Sequence, residues 1–203
     1  MKRLFTLVLL FVAAAYWAVP TSGQSRWDRS IDHPFSVEVA GSFNHAVNDF
    51  PAADLGAGFG GEIALAYRVL PAIDVFGGWG YQHFNADESI FGSDLDLEET
   101  GYFLGLGFEP AVFGSRRLQP YVRAAGVYDH VELEDAEGEI IEDTGKGWGY
   151  RLGLGVDYAI TEHIRLRSGL RFLSLDRDAT VDETSGTLEL RYVSARIGLA
   201  IRF

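Results

Sequence analysis

The stretch Gly147-Trp-Gly-Tyr-Arg-Leu-Gly-Leu-Gly-Val-Asp-Tyr-Ala-Ile160 carries two compositions in one run. Its even positions, Trp148, Tyr150, Leu152, Leu154, Val156 and Tyr158, are all large and apolar. Its odd positions are glycine or alanine, interrupted by Arg151 and Asp157. Successive side chains of a β-strand point to opposite faces, so a strand separates these two sets completely. A helix, with 3.6 residues per turn, would spread both sets around its circumference. The segment is therefore a strand with one greasy wall and one wall of small residues and isolated charges.

The same period of two runs outward in both directions. Strands are expected at about 35–44, 56–69, 72–84, 101–112, 120–131, 147–160, 164–175 and 188–203. The apolar face of these eight comprises 42 positions, none of them charged, with Ser168 as its one polar side chain. The other face holds Glu38, Glu62, Arg68, Asp74, Glu109, Arg123, Arg151, Asp157, Arg165, Arg167, Arg171, Arg196 and Arg202 among glycine, alanine and serine. Short connectors follow the second, fourth and sixth strands, and long acidic ones follow the third, fifth and seventh. That alternation belongs to an up-and-down antiparallel barrel with tight turns on one rim and loops on the other. The expected fold class is all-β, an eight-stranded antiparallel up-and-down transmembrane β-barrel.

Composition agrees. Of 203 residues, 24 are Gly and 27 are Phe, Trp or Tyr. Both groups are poor helix formers, which argues against a helical bundle. A net charge of −12 argues against a nucleic-acid partner, whose phosphates need a basic surface. With no cysteine there is neither a disulfide framework nor a thiolate metal site. Met1–Gly23 reads as a signal peptide: Lys2 and Arg3, then an apolar run from Leu4 to Val19, then Pro20 and small residues. The run is shorter than the roughly 20 residues of a spanning helix. The expected organisation is a signal peptide over 1–23, an N-terminal periplasmic segment over 24–34 and the barrel over 35–203.

An alternating pattern alone fits a soluble barrel with an apolar interior or a membrane barrel with an apolar exterior. Three features select the membrane. The charged face is otherwise made of small residues, as a narrow eight-stranded lumen requires. Its cations are all arginine, whose planar fork suits paired carboxylates in a confined space. Aromatics gather at both strand ends: Phe35, Tyr67, Phe108 and Tyr158 toward the short turns, and Trp79, Tyr81, Tyr102, Trp148 and Tyr150 toward the loops. Eight residues separate the belts in several strands. At about 3.3 Å per residue and a tilt of about 40° this is about 20 Å, near the thickness of an outer-membrane apolar band.

With these residues in view, the chain resembles the small eight-stranded bacterial outer-membrane barrels of the OmpA-barrel, OmpX and opacity-protein kind. The sharpest local likeness is the end, Tyr192-Val-Ser-Ala-Arg-Ile-Gly-Leu-Ala-Ile-Arg-Phe203. It is similar to the terminal-Phe signal read by the insertion machinery in that family, and the resemblance assigns this role to Tyr192, Ile197, Leu199, Ile201 and Phe203. It also implies outer-membrane lipid and lipopolysaccharide as surroundings, passage through the insertion machinery, a monomer, and residence in the outer membrane of a Gram-negative-type bacterium.

The lumen is the first place to look for function. Arg123, Arg151, Arg171 and Arg196 are expected to pair with Glu38, Glu62 and Asp157 as a charge network that plugs the barrel. Such a barrel serves membrane integrity, adhesion or recognition through its acidic loops. The alternative is a small transport barrel for ions or an apolar solute, and a lipid-modifying enzyme at the rim comes third. No enzyme is expected: His45, His83 and His130 lie near the loop rim, but no serine adjoins them in sequence. Acids crowd residues 85–100 and 129–146. Such clusters have the chemistry to hold Ca2+ or Mg2+, although no cofactor or metal site is expected.

Overall fold

The computed structural model describes residues 33–47, 53–89, 95–110, 117–134, 140–181 and 184–203. The expected signal peptide and residues 24–32 of the segment after it lie outside the described residues. The chain forms β1 (Phe35–Ala46), β2 (Ala53–Leu70), β3 (Ile73–Ser89), β4 (Leu95–Phe108), β5 (Leu118–Glu134), β6 (Ile140–Asp143), β7 (Gly147–Ala159), β8 (Ile164–Val181) and β9 (Thr184–Arg202). All pairings are antiparallel, in the order β4-β3-β2-β1-β9-β8-β7-β5-β6, and β4 also pairs with β5. That last pairing closes a barrel of eight long strands, with β6 as a short flap on β5. Closure leaves no open edge among the wall strands, which a lipid-exposed sheet requires.

The apolar face points outward. Val39, Phe43, Phe59, Leu65, Leu104, Leu154, Ile197 and Phe203 are exposed. Burying this wall in lipid is the main use of its apolar surface. The belt near the loop rim is continuous by register: Trp79 lies opposite Tyr102, Tyr102 opposite Tyr128, and Tyr128 opposite Trp148. At the turn rim, Phe35 sits 4.9 Å from Tyr67 and 6.2 Å from Phe203, ring to ring. Backbone bonds between Phe35 and Phe203 join the first and last strands there. Tyr150 and Tyr158 are exposed, whereas Tyr81 and Phe108 are only half-exposed.

The wall is taller than expected on the loop side. β3 and β4 stay paired out to Ala86 and Leu95, so part of the expected acidic loop 85–100 is sheet. β8 and β9 pair as far as Val181 and Thr184, which replaces the expected long seventh connector by a hairpin. The acidic residues there alternate with apolar ones, as in Leu95-Asp-Leu-Glu98, and period 2 continues past the belt. Their acidity suggested a loop, but an extension beyond the membrane can be both paired and wet on its outer face.

Inward glycines make room for ring side chains. Gly155 and Gly169 face each other across β7 and β8, and the Tyr121 hydroxyl fills the space above them. A Cβ on Gly155 would meet that hydroxyl at 2.7 Å, besides the Ser168 carbonyl. Gly155→Val therefore overpacks the lumen. The expected loss is about 1–3 kcal/mol, measured as a lower urea midpoint for the refolded barrel at unchanged slope.

Candidate functional site

The interior divides into three levels. At the turn end, Glu109 accepts from Arg68, from Arg167 Nη2 at 2.7 Å and from Arg202 at 2.9 Å. Arg165 donates to Gln119 at 2.6 Å. Arg167 then reaches upward: Nε and Nη2 clamp Asp157 at 2.6 Å each, and Nη1 donates to Glu38 at 2.9 Å. This one guanidinium joins three carboxylates from three parts of the wall.

In the middle level, Glu38 also accepts from Arg123 and Arg196, each at 2.9 Å. Glu62 accepts from Arg151 at 3.0 Å, from Arg171 at 2.6 Å and from Arg196. The cations also lie over rings: Arg151 is 3.4 Å from the centre of Phe103, and Arg123 is 4.5 Å from that of Phe76. Higher up, Ser42 and Asn44 donate to Gln82 at 2.9 and 2.7 Å. The Tyr192 hydroxyl donates to Glu99 at 2.6 Å, and Arg177 donates to Asp129 and to the Trp148 and Gly147 carbonyls.

The top level is apolar. Phe84, Leu97, Val131, Leu133, Leu175 and Leu190 point inward and are buried. Phe84 packs edge-on against Tyr192 at 5.1 Å. Apolar side chains thus pack above the charges. The cavity lined by Phe76, Tyr121 and four arginines has about 20 Å³, room for one or two waters.

Several expectations shift. Arg123, Arg151, Arg171 and Arg196 do meet Glu38 and Glu62, but Asp157 pairs with Arg167 instead. Its pairing was legible: the tight connection at 160–163 sets residue 157 opposite 167 in the β7–β8 hairpin. Glu99 and Asp129, counted with the acidic loops, are buried in the lumen because their strands continue inward-facing at odd positions. Tyr192 faces inward, as its even position on β9 implies, whereas Ile197, Leu199, Ile201 and Phe203 share the outer face. Within the described residues of the interior, nine arginines (Arg68, Arg123, Arg151, Arg165, Arg167, Arg171, Arg177, Arg196 and Arg202) face seven carboxylates (Glu38, Glu62, Asp74, Glu99, Glu109, Asp129 and Asp157).

The outer wall beyond the belt is a second candidate. Asp96 lies opposite Glu134, Glu98 opposite Glu132, and Glu132 opposite Asp143. Like charges directly opposite are unfavourable. Desolvation, followed by repulsion from Glu98, Glu132 and Asp96, pushes the Glu134 carboxyl above its usual range. Two histidines stand beside these acids: His83 Nδ1 is 3.5 Å from Glu98, and His130 Nε2 is 3.6 Å from Glu132. Tyr81 also donates to Glu98. Ligand atoms of His130, Glu132 and Asp143 lie within 4.8 Å of one another, as do those of Glu98, Glu132 and Glu134. These are the described residues with the geometry to hold a metal. His45 is exposed on β1.

No protein-family model matches the chain, and no curated protein does. Solved structures do. The chain is similar to Neisserial surface protein A, at 18% identity over 83% of this chain and 97% of that one, with a TM-score of 0.58. It is similar to OprG of Pseudomonas aeruginosa at 14% identity, over 84% and 97%, with a TM-score of 0.57. It is also similar to Ail, the attachment invasion locus protein of Yersinia pestis, at 13% identity, over 84% and 99%, with a TM-score of 0.53. At such identities the shared property is the fold: this chain is an eight-stranded, all-antiparallel barrel of the small outer-membrane kind.

Proposed function

We propose that the protein is a closed outer-membrane barrel with a structural and surface-interaction role. The observation that carries this reading is the filled lumen. Arg167 and its three carboxylates bridge the interior. Above them Phe84, Leu97 and Leu190 are buried in an apolar cluster that opposes a wet path. An ion crossing the barrel would have to break paired charges and then enter a dry apolar layer, and both steps are costly. A transport role for an apolar solute is also disfavoured, because the apolar residues at the mouth pack against one another instead of lining an opening.

What remains for recognition is the outer wall, where acids stand in register on three neighbouring strands. The Ail structure holds the heparin analogue sucrose octasulfate. A polyanion of that kind would be repelled by the wall described here, which instead suits cationic surfaces. The histidines of this wall sit beside carboxylates and Asn85, and the reading is non-enzymatic. The surroundings are outer-membrane lipid and lipopolysaccharide, and the insertion machinery reads the outward face of β9 with Ile197, Leu199 and Ile201.

The test is conductance of the refolded barrel in planar bilayers. Closed-lumen behaviour is a flat current trace over the usual voltage range. Steady single-channel steps would overturn the plugged reading.

A further inference from the structure

In the middle of the lumen four guanidiniums share two directly bonded carboxylates, with Asp74 and Glu99 farther off. Arg123, Arg151, Arg171 and Arg196 surround one small cavity together with Phe76 and Tyr121. Among the described residues, Glu38 and Glu62 are within bonding distance of these four guanidiniums, with Asp74 at 3.9 Å from Arg123. Glu38 is itself shared with Arg167. The Nε groups of Arg123, Arg171 and Arg196 are buried and have no hydrogen-bond partner among the described residues. All three side chains are more than nine-tenths buried. A buried N–H without a partner is costly, and an unbalanced buried cation is more so.

These facts point to one ligand chemistry. We propose that the cavity binds a single monovalent, monatomic anion, chloride under ordinary conditions. Its size admits one small ion and excludes phosphate or a carboxylic acid with a side chain. Its lining is dominated by guanidinium N–H donors, with the Tyr121 hydroxyl beside them, which favours an anion over a cation. A water could satisfy one or two of the donors, but it would leave the charge excess untouched. The anion would act as a structural counter-ion that completes the plug, an assignment independent of whether the outer wall recognises a partner.

Gly153 makes this testable without touching an arginine. It lines the cavity, and a Cβ there would meet only the Leu170 carbonyl at 3.6 Å and the Arg123 Cβ at 4.0 Å. The first carbon of Gly153→Val therefore fits, and its methyls occupy the space of the ion. The barrel is folded separately in sodium chloride and in sodium gluconate of equal ionic strength, and thermal unfolding is followed in both. Wild type should melt about 3–5 °C higher once chloride reaches ten times its Kd. The rise should saturate, bromide should reproduce it, and Gly153→Val should lose it while keeping its heat-modifiable gel shift. Equal melting of wild type in the two salts would overturn the proposal, as would a chloride effect that survives in Gly153→Val. Should that variant fail to fold, crystals of wild type grown in sodium bromide decide. An anomalous peak among the four arginines supports the site, and its absence rejects it.

Discussion

Arg167→Met should destabilise the barrel by about 3–5 kcal/mol, one of the two largest losses expected from a single substitution in this chain. Arg167 is buried and donates to Glu38, Glu109 and Asp157 at 2.6 to 2.9 Å. Glu109 keeps Arg68 and Arg202, and Glu38 keeps Arg123 and Arg196. Asp157 keeps only Arg202, at 3.9 Å, and so becomes a buried carboxylate with no direct donor. The stranded charge, more than the lost contacts, sets the size of the effect. Urea unfolding of the barrel in lipid vesicles is the measurement. Asp157→Asn in the Arg167→Met background should recover part of the loss, since it removes the orphaned charge. A single substitution costing under about 1 kcal/mol would mean that the interior is wet and that the network contributes little.

Glu62→Gln should come close in size, with the sign of the orphaned charge reversed. Three guanidiniums, Arg151, Arg171 and Arg196, converge on the Glu62 carboxylate. The amide keeps the volume and removes the charge, leaving Glu38 as the one carboxylate against Arg196 and none against Arg151 or Arg171. The expected loss is again about 3–5 kcal/mol. Arg151→Met combined with Glu62→Gln should be less damaging than the sum of the two single changes, because Arg151 has lost its partner in the first. A coupling of at least about 1 kcal/mol is expected from a double-mutant cycle in the same vesicles. Additive effects would show that the two side chains do not share one network.

The two substitutions also bear on conductance in different ways. Arg167 stands at the level where the paired charges bridge the lumen, whereas Glu62 lies nearer the apolar cap. Neither substitution touches Phe84, Leu97, Val131 or Leu190, which belong to the buried apolar cluster.

How much of this could be read from residues alone varies by level. The wall between the two aromatic belts was legible, but its paired extension on the loop side was not. A strand has only two faces, and in residues 147–160 every large apolar residue falls on one of them. The apolar mouth was not read. Leu97, Val131, Leu133 and Leu190 lie among acids, and a run such as Asp94-Leu-Asp-Leu-Glu98 looks like a loop until its partner strand is known. Glu99 and Asp129 were misplaced for the same reason, since their burial depends on how far pairing continues past the belt.

The one-dimensional pattern by itself determined the all-β class, the outward aromatic belts and which charges between the belts enter the lumen. These depend on period and parity, which are local properties of a strand. Only the closed barrel decided which charges meet. Asp157 and Arg167 are ten residues apart and follow from one tight turn. Glu38 and Arg123 are 85 apart, and Glu38 and Arg167 are 129 apart. Those partners come together only when β4 pairs with β5 and β1 with β9, because closure sets the stagger of the strands around the barrel. The same stagger places four arginines around one cavity, an arrangement that no local spacing encodes.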